Sequence, residues 1–244
     1  MSDNDDRLIG HILSRREILA LFGAAGYSWF AGGPRLTAQG QPAGVSGCVV
    51  RPEQTEGPYF VDEMLNRSDL RSDPSDGSIR PGTPLALTLV VSRLAGNACT
   101  PMSNVQVDLW QCDHGGLYSD VQDPGFTTKG KKFLRGYQMT DPQGRAQFTT
   151  IYPGWYPGRT VHIHFKLRSR SASGAGFAFT SQLYFDDALT DKVFANAPYA
   201  GRGPRTTRNQ GDGIFRRDGS QLMLAPSPTE AGYAGTFQIA LQGV

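Results

Sequence analysis

The run His162-Ile163-His164-Phe165 holds two of the four histidines in the chain. Side chains alternate faces along a strand, so imidazoles at i and i+2 point the same way and can converge on one metal ion. Val161, Ile163, Phe165 and Leu167 fall on the opposite face, where they can enter a core. A His-x-His pair also suits a solvated sheet face, and the pair alone does not choose between the two. Two tyrosines supply context. Tyr156 precedes His162 by six residues behind a Pro153-Gly154 turn, and Tyr118 occupies a second turn, Gly115-Gly116-Leu117-Tyr118-Ser119-Asp120.

Such residues need a rigid scaffold, and the rest of the chain describes one. Strand patterns cover residues 85–94, 105–112, 133–140, 145–152, 160–169, 177–185 and 236–242. Asp141-Pro142-Gln143-Gly144 is a hairpin connection, and Pro81-Gly82, Gly115-Gly116 and Pro153-Gly154 punctuate other boundaries. Regular spacing without intervening amphipathic helices predicts an all-β fold, an antiparallel β-sandwich with long loops and one short helix. The helix is expected over 186–199, where Leu189, Val193 and Phe194 recur after an acidic start. Residues 51–82 and 199–221 are expected as loops packed onto the sandwich, and loops of that length often carry function. With 30 glycines and 16 prolines in 244 residues, a coiled coil or helical bundle is disfavoured.

The start of the chain reads as an address. Ser14-Arg15-Arg16-Glu17-Ile18-Leu19 opens into an uncharged run from Ile18 to Ala31, the order of a twin-arginine export signal. Fourteen residues of helix span about 21 Å, short of the ~30 Å hydrocarbon core, so a permanent transmembrane helix is not expected. Residues 1–40 are therefore expected as a signal segment, cleaved near Ala38 or Gly40, and 41–244 as one domain exported to the periplasm or the exterior. An amphipathic N-terminal helix with a chance Arg-Arg pair is the other reading. An oxidising destination permits one disulfide among Cys48, Cys99 and Cys112. Cys48 and Cys99 flank strand-like segments and are the expected pair. Cys112 ends an alternating strand and is expected as a buried free thiol.

Several separate motifs then match one family. They are Thr55-Glu56-Gly57-Pro58-Tyr59, Leu109-Trp110-Gln111-Cys112-Asp113 leading to Gly116-Leu117-Tyr118-Ser119, Phe133-Leu134-Arg135-Gly136 with Thr140-Asp141, and Pro153-Gly154-Trp155-Tyr156-Pro157. Arg159, three residues before His162-Ile163-His164-Phe165, and Ser181-Gln182-Leu183-Tyr184-Phe185 complete the set. In that order they resemble the intradiol ring-cleavage dioxygenases, non-haem iron(III) enzymes of the protocatechuate and catechol dioxygenase type. The resemblance implies that Tyr118, Tyr156, His162 and His164 bind Fe(III), and that Tyr156 is the ligand displaced when substrate arrives. It implies a catechol-type substrate, O2 as co-substrate, and a cis,cis-muconate-type product. The chemistry is consistent: a metal ion favours ionised phenols, and two phenolates on a trivalent ion leave one net positive charge beside neutral imidazoles.

Arg159 is the candidate for electrostatic support of developing negative charge, and an arginine paired at the surface is the alternative. Gln182 matches a position that hydrogen-bonds a metal ligand or a substrate oxygen. Gly57, Pro58 and Tyr59 resemble a substrate-pocket segment, although a structural turn explains them as well. His114 reads as a polar loop residue. Two departures stand out. Only five residues separate Tyr156 from His162, fewer than the family usually has there, and no helical segment of the catechol 1,2-dioxygenase kind is legible before the sandwich. A homo-oligomer is left open.

Two other function classes compete. A secreted β-sandwich module could bind iron or aromatic compounds without turnover. Polyanion binding through Arg202, Arg205, Arg208, Arg216 and Arg217 is the second, but a net charge of +2 and 19% charged residues argue against a nucleic-acid partner. The same arginines could instead attract carboxylated aromatics. No membrane association is expected once the signal is removed.

Overall fold

The computed structural model describes residues 48–169 and 176–244. The expected signal segment and its cleavage region lie outside the described residues. In chain order the strands are β1 (Pro84–Ala95), β2 (Ala98–Pro101), β3 (Gln106–Trp110), β4 (Gln122–Asp123), β5 (Phe126–Thr127), β6 (Arg135–Met139), β7 (Arg145–Ile151), β8 (His162–Arg168) and β9 (Ala178–Tyr184). Helices α1 (Asp187–Phe194) and α2 (Phe215–Asp218) follow, and β10 (Ser227–Pro228) and β11 (Tyr233–Gln242) close the chain.

Two sheets form the expected sandwich. In the first, β1 is flanked by β11 on one side and by β7 and then β2 along the other, with β10 outside β11. The second is ordered β6-β3-β8-β9 and is antiparallel throughout. One pairing departs from the antiparallel expectation: β1 and β11 run parallel, in register from Leu85↔Tyr233 to Leu94↔Gln242. Parallel neighbours require a long connection. Here that connection is nearly the whole domain.

Strand alternation builds the core. Leu85, Leu87, Leu89 and Val91 of β1 point inward with Phe237, Ile239 and Leu241 of β11. They meet Val107 and Leu109 of β3 and Ile163, Phe165 and Leu167 of β8, and the Phe165 and Phe237 rings lie 6.0 Å apart. The opposite face of β8 carries His162, His164, Lys166 and Arg168 in sequence. It is covered by an N-terminal strap, whose Glu56 and Asp62 pair with Lys166 at 2.6 Å and with Arg168 at 2.7 Å. Lys166 and Arg168 also lie over the Phe60 ring. A strand that would show one face to water therefore buries both faces at its start.

The expected helix is present but shorter. Asp186 caps α1 by accepting the Leu189 N–H at 2.9 Å, and the helix ends at Phe194 rather than at 199. Pro198 lacks an amide proton and disfavours helical backbone at Ala197, so the chain restarts as a separate turn, Tyr199–Arg202. The second helix, α2, went unrecognised because four residues carry no readable periodicity. Strands β2, β4, β5 and β10 are likewise too short for a pattern.

Cys48 and Cys99 are bonded, with Cα atoms 5.5 Å apart, and Cys112 is buried and free. The bond ties the strap to β2 across a sequence separation of 51 residues. Loop closure of that length is worth about 4 kcal/mol in the chain-entropy treatment. A Cys48→Ser/Cys99→Ser variant is expected to lose up to about that much in urea denaturation. An unchanged midpoint would show that the strap is held by its other contacts alone.

Candidate metal centre

The register of β8 sets the first two groups of the centre. His164 lies opposite Trp110 of β3 on one side and Gln182 of β9 on the other, and His162 lies opposite Tyr184. Trp110 and His164 stack with centroids 4.9 Å apart and planes 10° from parallel. His162 donates from Nδ1 to the Thr160 carbonyl at 2.6 Å, which leaves its Nε2 as a lone pair aimed inward. Both imidazoles are 2% exposed, so the solvated-face alternative for the pair does not hold.

Two turns bring in the tyrosines. Asp113 organises the first: its Oδ1 accepts the N–H groups of Gly115 at 2.8 Å and Leu117 at 3.0 Å, and its carbonyl accepts from Gly116 and Gly154. That carbonyl ties the Tyr118 turn to the turn before Tyr156. Gly116 has φ +81°, and a Cβ there would run into the Trp155 carbonyl. The backbones thus approach closely enough for both phenols to reach His162. Tyr118 is fully buried against Tyr59, with ring centroids 4.6 Å apart, whereas Tyr156 is only partly buried.

Four polar atoms converge. Nε2 of His162 lies 3.0 Å from Nε2 of His164, 3.3 Å from the Tyr118 hydroxyl and 3.2 Å from the Tyr156 hydroxyl. One lone pair cannot satisfy three partners, and Nδ1 of His164 is buried with no partner among the described residues. Either tautomer of His164 therefore leaves a polar nitrogen unmatched. A cation at the point of convergence relieves the crowding around His162 Nε2, because every one of the four convergent atoms can present a lone pair to it.

The electrostatics favour the same ligand. Burial, reinforced by Arg159, pushes His162 down to about 3, and burial, His162 and Arg159 hold His164 well below its ordinary value. Both imidazoles are neutral at pH 7 and need lose no proton to bind metal. Without an ion, burial drives both Tyr118 and Tyr156 above the ordinary phenol range. Only a strong neighbouring positive charge ionises two buried phenols side by side. Among the described residues no group of three His, Cys, Asp or Glu side chains could hold a metal, so neither a thiolate site nor a two-histidine, one-carboxylate site is present. Two imidazoles and two phenols suit a hard, highly charged ion.

Arg159 is neither free nor an ordinary surface pair. Its Nε donates to Asp212 Oδ2 at 2.8 Å and its Nη2 to Gln182 Oε1 at 2.6 Å. Gln182 also accepts from Tyr184 at 3.2 Å and donates to the Thr55 carbonyl at 3.1 Å, so its polar atoms engage the Arg159 assembly and the strap. Gly57, with φ +72°, passes His164 closely enough that a Cβ would lie 3.5 Å from its Cε1. Pro58 follows in the same turn. Tyr59 stacks on Tyr118 and donates to Asp123 at 2.8 Å, and burial and Asp123 raise it to about 12, which keeps it a phenol. His114 is half-buried beside Tyr199 and is not among the convergent atoms.

Sequence reasoning missed Asp212 and the positioning roles of Asp113 and Trp110. Asp212 accepts from the Thr160, Ile214 and Phe215 amides besides Arg159, fixing the loop just before His162. It sits in the irregular 199–221 segment, where no periodicity marks it. Asp113-x-Gly115 was a readable turn signal. The stacking of Trp110 followed only once the β3–β8 register was known.

Comparisons with known proteins identify the family. A family model described as Dioxygenase matches residues 55–242. The protocatechuate 3,4-dioxygenase beta chain of Burkholderia cepacia is 33% identical over 157 residues, 59% of this chain and 65% of that protein. Catechol 1,2-dioxygenase 2 of Acinetobacter lwoffii is 32% identical over 163 residues, 59% of this chain and 54% of that one. The match thus spans less than two thirds of either curated relative. An intradiol ring-cleavage dioxygenase structure from Tetranychus urticae superposes with a TM-score of 0.68 at 31% identity, covering 81% of this chain and 96% of that one. The chain belongs to the intradiol ring-cleavage dioxygenase family.

Removing Asp212 tests the frame around the centre. Burial alone would raise its carboxyl, but the Arg159 charge and the hydrogen bonds hold it below the ordinary carboxylate range. That contribution is present above the unfolded value near 4 and is lost as pH falls through the lowered folded value. Asp212→Ala is expected to cost about 2–3 kcal/mol at neutral pH, with the gap to the parent narrowing below about pH 4 in urea denaturation. A gap independent of pH would contradict the ion-pair account.

Proposed function

We propose that the chain holds Fe(III) through Tyr118, Tyr156, His162 and His164 and uses O2 to cleave a catechol-type aromatic between its two hydroxyl-bearing carbons, giving a cis,cis-muconate-type product. The observation that carries this reading is the convergence of two neutral imidazoles and two phenols on one lone pair, without a carboxylate or thiolate. When bound, ferric iron would supply a Lewis acid and a template that makes a chelated catechol reactive toward oxygen.

The chain's own residues divide the remaining work. Tyr118 is locked by burial and by its stack on Tyr59, and so serves as a fixed ligand. Tyr156 lies at the partly exposed side, and its hydroxyl oxygen is the one free to leave and take a catechol proton. The Arg159 guanidinium, held by Asp212 and Gln182, supplies fixed positive charge to anionic oxygen beside Tyr156. Thr160 and Trp110 hold the two imidazole planes, and Gly57 with Tyr59 closes the strap side of the site. The curated relatives, by name a protocatechuate and a catechol dioxygenase, support a catechol-type substrate.

Export completes the proposal. Ser14-Arg15-Arg16 supports a twin-arginine signal in residues 1–40, and the Cys48–Cys99 disulfide suits an oxidising compartment outside the cytoplasm. No helix of the described residues is long and apolar enough to cross a membrane.

An anaerobic visible spectrum of the ferric-loaded protein, taken before and after catechol and followed by oxygen, tests the reading. A broad tyrosinate-to-iron band is expected to shift with catechol and decay as muconate forms. Tyr118→Phe and Tyr156→Phe should each weaken the band, and Tyr156→Phe should lower kcat by about 100-fold or more. A colourless ferric protein would remove both tyrosines from the centre. Colour that responds to catechol without product would leave a binding module.

A further inference from the structure

Beside the metal centre the surface opens into a cleft of about 630 Å³ whose lining includes Arg159, Asp212, Arg216 and Arg217, with Gly158 and Gly213 on its wall. A volume of that size accommodates a ligand larger than a benzenediol. Its charge is unbalanced. Asp212 is the acidic residue among the lining side chains, and its oxygens are taken by Arg159 and three backbone amides.

The arginines noted in the sequence separate into two groups. Arg202 lies over the Trp155 ring, and Arg205 and Arg208 pair with Asp187 and Asp191. Arg216 and Arg217 are exposed, and no described residue offers their guanidinium groups an ion pair or a hydrogen bond. Two unspent cations thus face one concavity, whose wall is completed by Gly158, Gly213 and Ile214.

The cleft is joined to the centre by Arg159 itself. That side chain lines the cleft and donates to Gln182, the cross-strand neighbour of His164. Gly158, on the cleft wall, lies two residues beyond Tyr156. A ring seated beside Tyr156 and carrying a substituent past Arg159 would deliver that substituent to Arg216 and Arg217.

We propose that Arg216 and Arg217 form an anion-binding subsite adjoining the metal centre, and that it selects catechols bearing a carboxylate on a side chain extended from the ring. The proposal rests on the reading of the centre as a catechol site. A guanidinium pairs with a carboxylate through two parallel hydrogen bonds, and two adjacent guanidiniums favour the anion over its neutral counterpart. Because the two arginines are exposed, the preference should weaken as salt screens them.

The test compares kcat/KM for 3,4-dihydroxycinnamate and for catechol in the ferric-loaded parent and in Arg216→Ala/Arg217→Ala, at low and high salt. The expected result is a preference for the anionic substrate that falls about tenfold or more in the double variant, chiefly through KM, and that declines with salt in the parent. Arg216→Lys/Arg217→Lys should recover much of it by keeping the charge. An equal substrate ratio in parent and double variant, or a ratio indifferent to salt, would overturn the subsite. Iron content and far-UV circular dichroism establish that the variants are folded. If the parent turns over neither substrate, it is the dioxygenase reading that fails. Calorimetric titration with 3,4-dihydroxycinnamate then decides the subsite separately: weaker binding by the double variant supports it, and equal binding sinks it.

Discussion

The alternation of strand β8 is the constraint on which the rest of the structure depends. Ile163, Phe165 and Leu167 enter the core from one face while His162 and His164 occupy the other. A slip of one residue would exchange the faces, placing imidazoles among Leu87, Leu89 and Phe237 and apolar side chains at the centre. The hydrophobic core therefore fixes the aim of the two imidazoles. Register also delivers the neighbours, since Trp110 stacks on His164 because β3 sets them opposite, and Gln182 meets Arg159 because β9 sets it beside His164.

What the sheet cannot supply, two aspartates do. Asp113 folds the turn that presents Tyr118 and ties it to the turn preceding Tyr156. Asp212 clamps the loop between Tyr156 and His162 and holds Arg159. Each accepts several backbone amides, so each sets the course of a loop with one side chain. Within that frame Tyr118 is fully buried and Tyr156 partly exposed, the asymmetry a site needs if it is to keep a metal while admitting a substrate.

Much of this was legible in the order of residues. The seven long strands showed as alternation, Asp141-Pro142-Gln143-Gly144 as a turn, and the convergent residues as a His-x-His pair with tyrosines in two turns. The disulfide followed from where three cysteines fell relative to strand patterns. Other features rest on contacts between segments far apart in sequence. The parallel pairing of β1 with β11 joins the two ends of the domain, and nothing local announces it. Asp212 lies 53 residues from Arg159 in a segment without periodicity. The early end of α1 shows the converse, because Pro198 was visible and the spacing of Leu189, Val193 and Phe194 before it was carried past it to residue 199.

The central claim is that two imidazoles and two phenols form one metal centre. Iron-edge X-ray absorption of the ferric-loaded protein tests it most directly, because imidazole rings scatter in a pattern that oxygen ligands do not. The account expects scattering from two imidazoles, falling to one in His162→Ala and again to one in His164→Ala, with the other nearest neighbours oxygen. Absence of imidazole scattering, or a pattern unaltered by either substitution, would contradict it.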